Sequence, residues 1–160
     1  AWPVICSSEA LHAHANTYPS RADEYGPWFR QWLERGTGYT GADFARANNL
    51  RAACNGELRR RFEGIDLLAF PGATAEAHEV SAELMYGPIP EDRDTWNGRF
   101  TQPYDYSGCP TISLPCGLSD SGLPLSLQFA GHPLSEPLLV QAGHAYEEAA
   151  EWHDLHPPGW

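Results

Sequence analysis

The sequence predicts an α/β fold, helices layered on a sheet, from three observations. Apolar side chains recur at helical spacing through the first 64 residues, three short apolar or turn-bounded runs fall within residues 65–131, and residues 135–152 return to helical spacing. At 160 residues a single domain is expected, burying about 70% of the surface its unfolded chain exposes.

Residues 9–16 read as a short helix after Ser7-Ser8, stopped by Tyr18-Pro19. Residues 25–35 read as an aromatic-rich helix closed by Gly36, a residue suited to the position just past a helix end. Thr40 with Asp43 three residues on has the spacing of a capping box, with Asp in place of Glu, and opens a long helix that Gly64 ends. Within it Ala47, Leu50, Cys54, Leu58 and Phe62 form a helical stripe expected to face the core. Residues 65–70, Ile-Asp-Leu-Leu-Ala-Phe, read as a buried strand halted by Pro71-Gly72. Residues 73–98 hold no clear period and include Gly-Pro-Ile-Pro at 87–90; a loop this long usually serves function or spans a neighbouring domain. Residues 111–115 and 125–130 read as strands joined by the turn-rich stretch 117–122. Ser135 with Glu136 opens the last helix, whose stripe is Leu138, Leu139, Ala142, Tyr146 and Ala149, and residues 154–160 are a proline-rich tail. Three short strands make a poor sheet alone, so they read as part of a larger one.

Composition excludes several classes. All 10 basic residues are arginine, so no lysine is available for a phosphate-binding loop, a pyridoxal Schiff base or a Ser-Lys nucleophile pair. A net charge of -11 argues against nucleic acid, and the one basic run, Arg59-Arg60-Arg61, is flanked by Glu57 and Glu63 as on a solvated helix end. No apolar run approaches the roughly 20 residues of a membrane helix, and the first ten residues resemble no leader, so a cytoplasmic protein is expected. The chain starts at Ala1 without methionine, which either initiator removal or a start inside a longer protein explains.

His12 and His14 are two apart and do not share a helix face, and His153 and His156 sit at the chain's end, so no metal site is expected. The serine elbow G-x-S-x-G is absent around Ser113. Cys6, Cys54, Cys109 and Cys116 form no zinc-type pair and read as free, mostly buried thiols; Cys116, at a strand end, reads as a small buried hydrophobe rather than a nucleophile.

The most specific signal is the run Phe100-Thr-Gln-Pro-Tyr-Asp-Tyr-Ser-Gly-Cys-Pro110, continuing as Thr-Ile-Ser-Leu-Pro-Cys-Gly117. It extends to Gly122-Leu-Pro-Leu-Ser-Leu-Gln-Phe-Ala-Gly131, then Glu136, Leu138-Leu139 and His144-Ala-Tyr-Glu147. These fixed offsets of Gly, Pro and Thr resemble the C-terminal part of an amidase-signature family enzyme, closely over residues 65–158, recognisably over 40–64, and thinly before 40. Read without the family, Gly108 allows a tight turn into the strand and Pro110 biases Cys109 toward extended backbone.

The resemblance implies the C-terminal portion of an α/β/α layered fold, with mixed-sheet strands flanked by helices: helical over 1–64, strands and loops over 65–131, a closing helix over 135–152. It implies an amide hydrolase whose serine nucleophile, second serine in a cis peptide and basic lysine precede the region seen here. With no lysine in the chain, no catalytic residue carries over, and no cofactor or metal is implied. What carries over by offset is a wall of the substrate pocket, namely Thr101, Tyr104, Asp105 and Cys109. Local alternatives are that Thr101 caps a short helix and Tyr104 packs in the core. Family members that accept glutamine for tRNA-linked amidation carry an acidic residue just before this Phe-Thr. Asn97-Gly98-Arg99 stands there instead, which favours a general amidase acting on a smaller or less polar amide over a glutamine-binding component. The expected partner is a small-molecule amide, with self-association or a missing N-terminal portion covering an open strand edge. The other reading is a non-catalytic binding or subunit-interaction domain of the same fold, as in the A-type component of an amidotransferase.

Overall fold

The computed structural model describes residues 1–77, 79–86, 98–150, 152 and 155. The stretch 87–90, Asn97, the His153/His156 pair and residues 156–160 lie outside the described residues. The described chain divides into two compact units, one of residues 1–54 with 79–86, the other of 55–77 with the described residues from 98 onward.

The first unit is helical. Helix α1, Trp2–Ala13, begins earlier than expected because Pro3 lies in its first turn, where the missing N–H costs nothing and the fixed φ suits a helix. Helix α2, Pro27–Thr37, likewise carries a proline in its first turn. It runs through Gly36 rather than stopping there. A Cβ on Gly36 would lie 2.5 Å from the Ser7 carbonyl oxygen, so this glycine lets α1 and α2 touch backbone to backbone. Ile5, Ser7 and Leu33 are buried in this unit, and Ser7 Oγ donates to the Pro3 carbonyl at 2.6 Å, satisfying its hydroxyl. Helix α3, Gly41–Arg61, opens on the expected capping box. Thr40 N–H donates to Asp43 Oδ2 at 3.0 Å, and Asp43 N–H donates to Thr40 Oγ1 at 3.1 Å. A short helix α4, Ala82–Tyr86, belongs to the same unit.

The second unit holds the end of α3, strands β1 (Leu67–Pro71), β2 (Thr111–Leu118) and β3 (Pro124–Gly131), and helices α5 (Gln102–Ser107) and α6 (Glu136–Ala150). The strands pair antiparallel in the order β1-β3-β2. Register sorts the side chains by face, because residues directly opposite in a ladder share one. Leu68, Ala130 and Thr111 lie on one face with Phe70, Gln128 and Ser113; Ala69, Phe129 and Ile112 lie on the other with Leu127 and Leu114. Helix α6 covers the second face: Gly143 brings it against Ile112 and Leu114, Tyr146 meets Phe129 edge-on, and the Tyr146 hydroxyl donates to the Pro115 carbonyl at 3.0 Å. The first face carries the core cluster of Phe62, Cys109 and Ala130, with Leu58, Leu68, Phe70 and Tyr104 packed around it. Helical segments therefore lie on both faces of the sheet.

Strand β2 runs past Pro115, where a strand end was expected, by means of a bulge that leaves Cys116 without a partner and resumes pairing at Gly117–Leu125. Cys116 is thereby exposed rather than buried, and Cys54 is exposed as well; all four cysteines are free thiols. The α3 stripe is also only partly inside: Ala47 and Phe62 are buried, but Leu50 is 53% exposed, so the helix presents apolar surface as well as burying it. The basic run behaves as a solvated face. Arg60 and Arg61 both pair with Glu57, which holds its carboxyl below the ordinary value, Arg60 contributing most.

Candidate functional site

The segment singled out in the sequence folds as a turn, a short helix and a second turn leading into β2. Thr101 is the residue preceding α5, and its backbone carbonyl accepts from Tyr104 N–H at 3.0 Å and Asp105 N–H at 3.2 Å. Its hydroxyl caps no helix N–H and instead reaches the Gly98 carbonyl at 3.4 Å, so Thr101 occupies the capping position without making the capping bond. The helix ends at Gly108, whose φ of 71° is the left-handed conformation that lets its N–H return to the Tyr104 carbonyl at 2.9 Å. Ser107 Oγ then accepts from Cys109 N–H at 3.2 Å, and the Pro110 carbonyl accepts from Gly131 N–H at 3.1 Å, tying the turn to the sheet.

Two of the four residues come together in the core. The Tyr104 ring stacks on Phe70, with centroids 4.8 Å apart and planes 8° apart, and both pack on the cluster that contains Cys109. Burial pushes the Tyr104 phenol up, and the nearby Cys109 adds to the shift in the same direction. Asp105 is different. Its side chain is exposed overall, yet the surrounding protein desolvates the carboxyl enough to raise its pKa above the ordinary value. Thr101 is half-buried, as Tyr104 is.

The structure adds aromatic neighbours that the offsets did not single out as site residues. Phe70 is also stacked on Phe100, at 6.4 Å, and the Arg99 guanidinium lies 5.5 Å from the Phe100 ring centre. Phe100, Phe70 and Tyr104 thus form a row of half-buried rings, with Phe70 and Tyr104 packed against the core cluster. Phe70 could have been found as the last aromatic before the Pro-Gly stop of β1, but its meeting with α5 depends on long-range pairing of β1 with β3. Deeper along the sheet, Gln128 is buried and donates through Nε2 to Thr111 Oγ1 at 3.2 Å and Ser113 Oγ at 3.3 Å. Elsewhere, His14 pairs its Nδ1 with the Tyr25 hydroxyl at 2.9 Å and packs edge-on against Phe29. No helix among the described residues is long and apolar enough to cross a membrane.

Known proteins resemble this chain in both sequence and fold. The model of the family described as Amidase matches residues 6–140. The amidase-named AmiD of Mycobacterium tuberculosis is 36% identical over 153 residues, covering 94% of this chain and 31% of AmiD. The A-type component of the glutamyl-tRNA(Gln) amidotransferase of Cyanothece sp. is 33% identical over 148 residues, covering 86% of this chain and 29% of that protein. A crystal structure of an amidase superposes with a TM-score of 0.79 at 24% identity, over 93% of this chain and 34% of that one, a likeness of fold. The chain spans about a third of the length of the curated relatives it matches.

Proposed function

This chain belongs to the amidase family, and we propose from that premise that it serves hydrolysis of carbon–nitrogen bonds in small amides by supplying a substrate-pocket wall, not the reacting groups. The observation that carries the division of labour is the absence of any lysine among 160 residues. A serine attacking an amide needs a base to take its proton, and in the chemistry the resemblance implies that base is a lysine made neutral by burial. The nucleophile and base would therefore come from polypeptide outside this chain.

In this reading Thr101 presents its hydroxyl and Tyr104 its half-buried ring to the acyl or side-chain end of the amide. Asp105 offers a partly desolvated carboxyl nearby, while Cys109 sets the depth of the wall from behind. The reading is supported by their clustering around one short helix and by the left-handed Gly108 that fixes that helix's end. The same reading places the protein in the cytoplasm, which its free thiols support, and has it associate with itself or with the rest of an amidase fold.

The second reading, a non-catalytic subunit-interaction domain, is favoured by one specific likeness, that to the A-type amidotransferase component of Cyanothece sp.. A fluorophosphonate probe tests the division of labour. The 160-residue chain alone is expected to hydrolyse no amide and to leave every serine unlabelled; stoichiometric labelling of any serine would overturn the assignment of the chemistry to polypeptide outside it.

A further inference from the structure

We propose that Arg99 is a specificity residue that selects amides carrying a carboxylate, an inference that rests on the reading of α5 as a wall of the substrate pocket. Arg21, Arg46, Arg51, Arg60 and Arg61 each have a carboxylate partner among the described residues. Arg99, like Arg30, Arg35 and Arg59, has none there, Asp105 included. Its guanidinium carbon lies 5.5 Å from the centre of the Phe100 ring, as that of Arg35 lies 5.7 Å from Trp32, and what sets Arg99 apart is its place beside Thr101. It stands two residues before Thr101 and is exposed.

That arrangement has a chemical meaning. A guanidinium is planar and can rest on an aromatic face while its N–H groups remain available for a carboxylate in the fork geometry that two parallel bonds require. Contact with the ring also restricts the long side chain before any ligand arrives, which lowers the rotamer entropy lost on binding. The charge of the chain sharpens the point. At -11 its overall field repels anions, so an anionic ligand needs a local cation that no carboxylate among the described residues already neutralises.

The remainder of the ligand is defined by the adjoining surface. The half-buried rings of Phe100, Phe70 and Tyr104 form a stacked row that suits a flat apolar spacer. The ligand class is thus an amide joined through a flat, apolar spacer to a carboxylate.

The test uses the full 160-residue chain, isotope-labelled for nuclear magnetic resonance, and two probes of matched size: 4-carbamoylbenzoate and the uncharged 4-acetylbenzamide. Both are expected to shift the Thr101 amide and Tyr104 ring signals, with the carboxylate probe also shifting the Arg99 Nε–H. The carboxylate probe should bind about threefold to fivefold more tightly, the size of an exposed ion pair. That preference should disappear in Arg99→Gln and shrink as salt rises from about 20 to about 200 mM, as screening of an exposed pair requires. Equal affinity for the two probes, with Thr101 and Tyr104 still perturbed, overturns the role of Arg99 and leaves the pocket-wall reading standing. If neither probe perturbs Thr101 or Tyr104, both fall together. Because Arg99 is exposed, its replacement leaves the fold intact, which the unchanged remainder of the spectrum would verify.

Discussion

Replacing Gly36 by alanine puts the contact between α1 and α2 under direct test. The new Cβ would sit 2.5 Å from the Ser7 carbonyl oxygen, 3.0 Å from its carbon and 3.3 Å from the Leu11 Cβ. A methyl carbon so near a carbonyl oxygen is well inside van der Waals contact, and the obstacle is backbone, so one helix must withdraw by about half an ångström or more. Overpacking of this kind costs about 1–3 kcal/mol. Alanine returns up to about 1 kcal/mol through its better helix propensity. The net expectation is a loss of about 1–2 kcal/mol, since the clash with backbone belongs in the upper part of that range. Gly143→Ala is the control. Its Cβ would meet the Cδ1 end of Ile112 at 2.8 Å, and a side-chain terminus can change rotamer for about 0.5–1 kcal/mol, which the helix-propensity gain offsets. Urea unfolding followed by tryptophan fluorescence suits the comparison, because Trp28 and Trp32 lie on α2 itself. Gly36→Ala should lower the midpoint by about 0.5–1 M, while Gly143→Ala should leave it within about 0.3 M. A Gly36→Ala chain as stable as the parent, or a Gly143→Ala chain equally damaged, would refute the distinction between a backbone obstacle and a movable side chain.

Two carboxyls should respond to acid in opposite directions. The Thr40 hydroxyl and N–H hold the Asp43 pKa below its unfolded value, so its contribution is full above that value and is lost as pH falls through the folded pKa. Asp105 is raised by desolvation, so its contribution is present below the unfolded pKa and is lost as pH rises through the folded one. Denaturation midpoints measured between about pH 2 and 6 should therefore lose an acid-side decline in Asp43→Asn and an opposing trend in Asp105→Asn; unchanged profiles would show that neither carboxyl is perturbed. The chain should also self-associate at micromolar concentration, since Leu50, Leu118, Leu134 and Val140 are all more than half exposed. Light scattering that reports a clean monomer, with weak binding of an apolar dye, would count against this.

Local chemistry is legible wherever a few neighbouring residues decide the conformation. The Thr40–Asp43 spacing forecasts the reciprocal bonds at the start of α3, and Gly64, with a φ of 77°, ends that segment as expected. The hairpin is likewise found around Gly122, whose φ is 83°. What is not legible depends on distant partners. Gly36 looks like a helix stop until Ser7 is placed against it, and the first helix, read over residues 9–16, starts at Trp2 with Pro3 in its first turn. The α3 stripe reads as uniformly buried, but periodicity reports which side chains share a face, not whether anything covers each of them; Leu50 is the counterexample. At the candidate site, the offsets lead to Thr101, Tyr104, Asp105 and Cys109, while the pairing of Tyr104 with Phe70 follows from the ladder that places β1 beside β3.

The bulge in β2 has a consequence for how this hairpin can change over generations. Cys116 is the residue that the register skips: Pro115 still faces Ser126, and Gly117 already faces Leu125. Strand β3 keeps unbroken alternation opposite it, so the surplus residue is absorbed wholly within β2. Loss of the Cys116 codon would join Pro115 directly to Gly117 and convert the irregularity into a plain ladder, with every other side chain kept on its present face. A one-residue deletion elsewhere in the strand would turn its whole remaining pattern inside out. The hairpin thus has one position at which it could lose a residue while the rest of the sheet keeps its pattern.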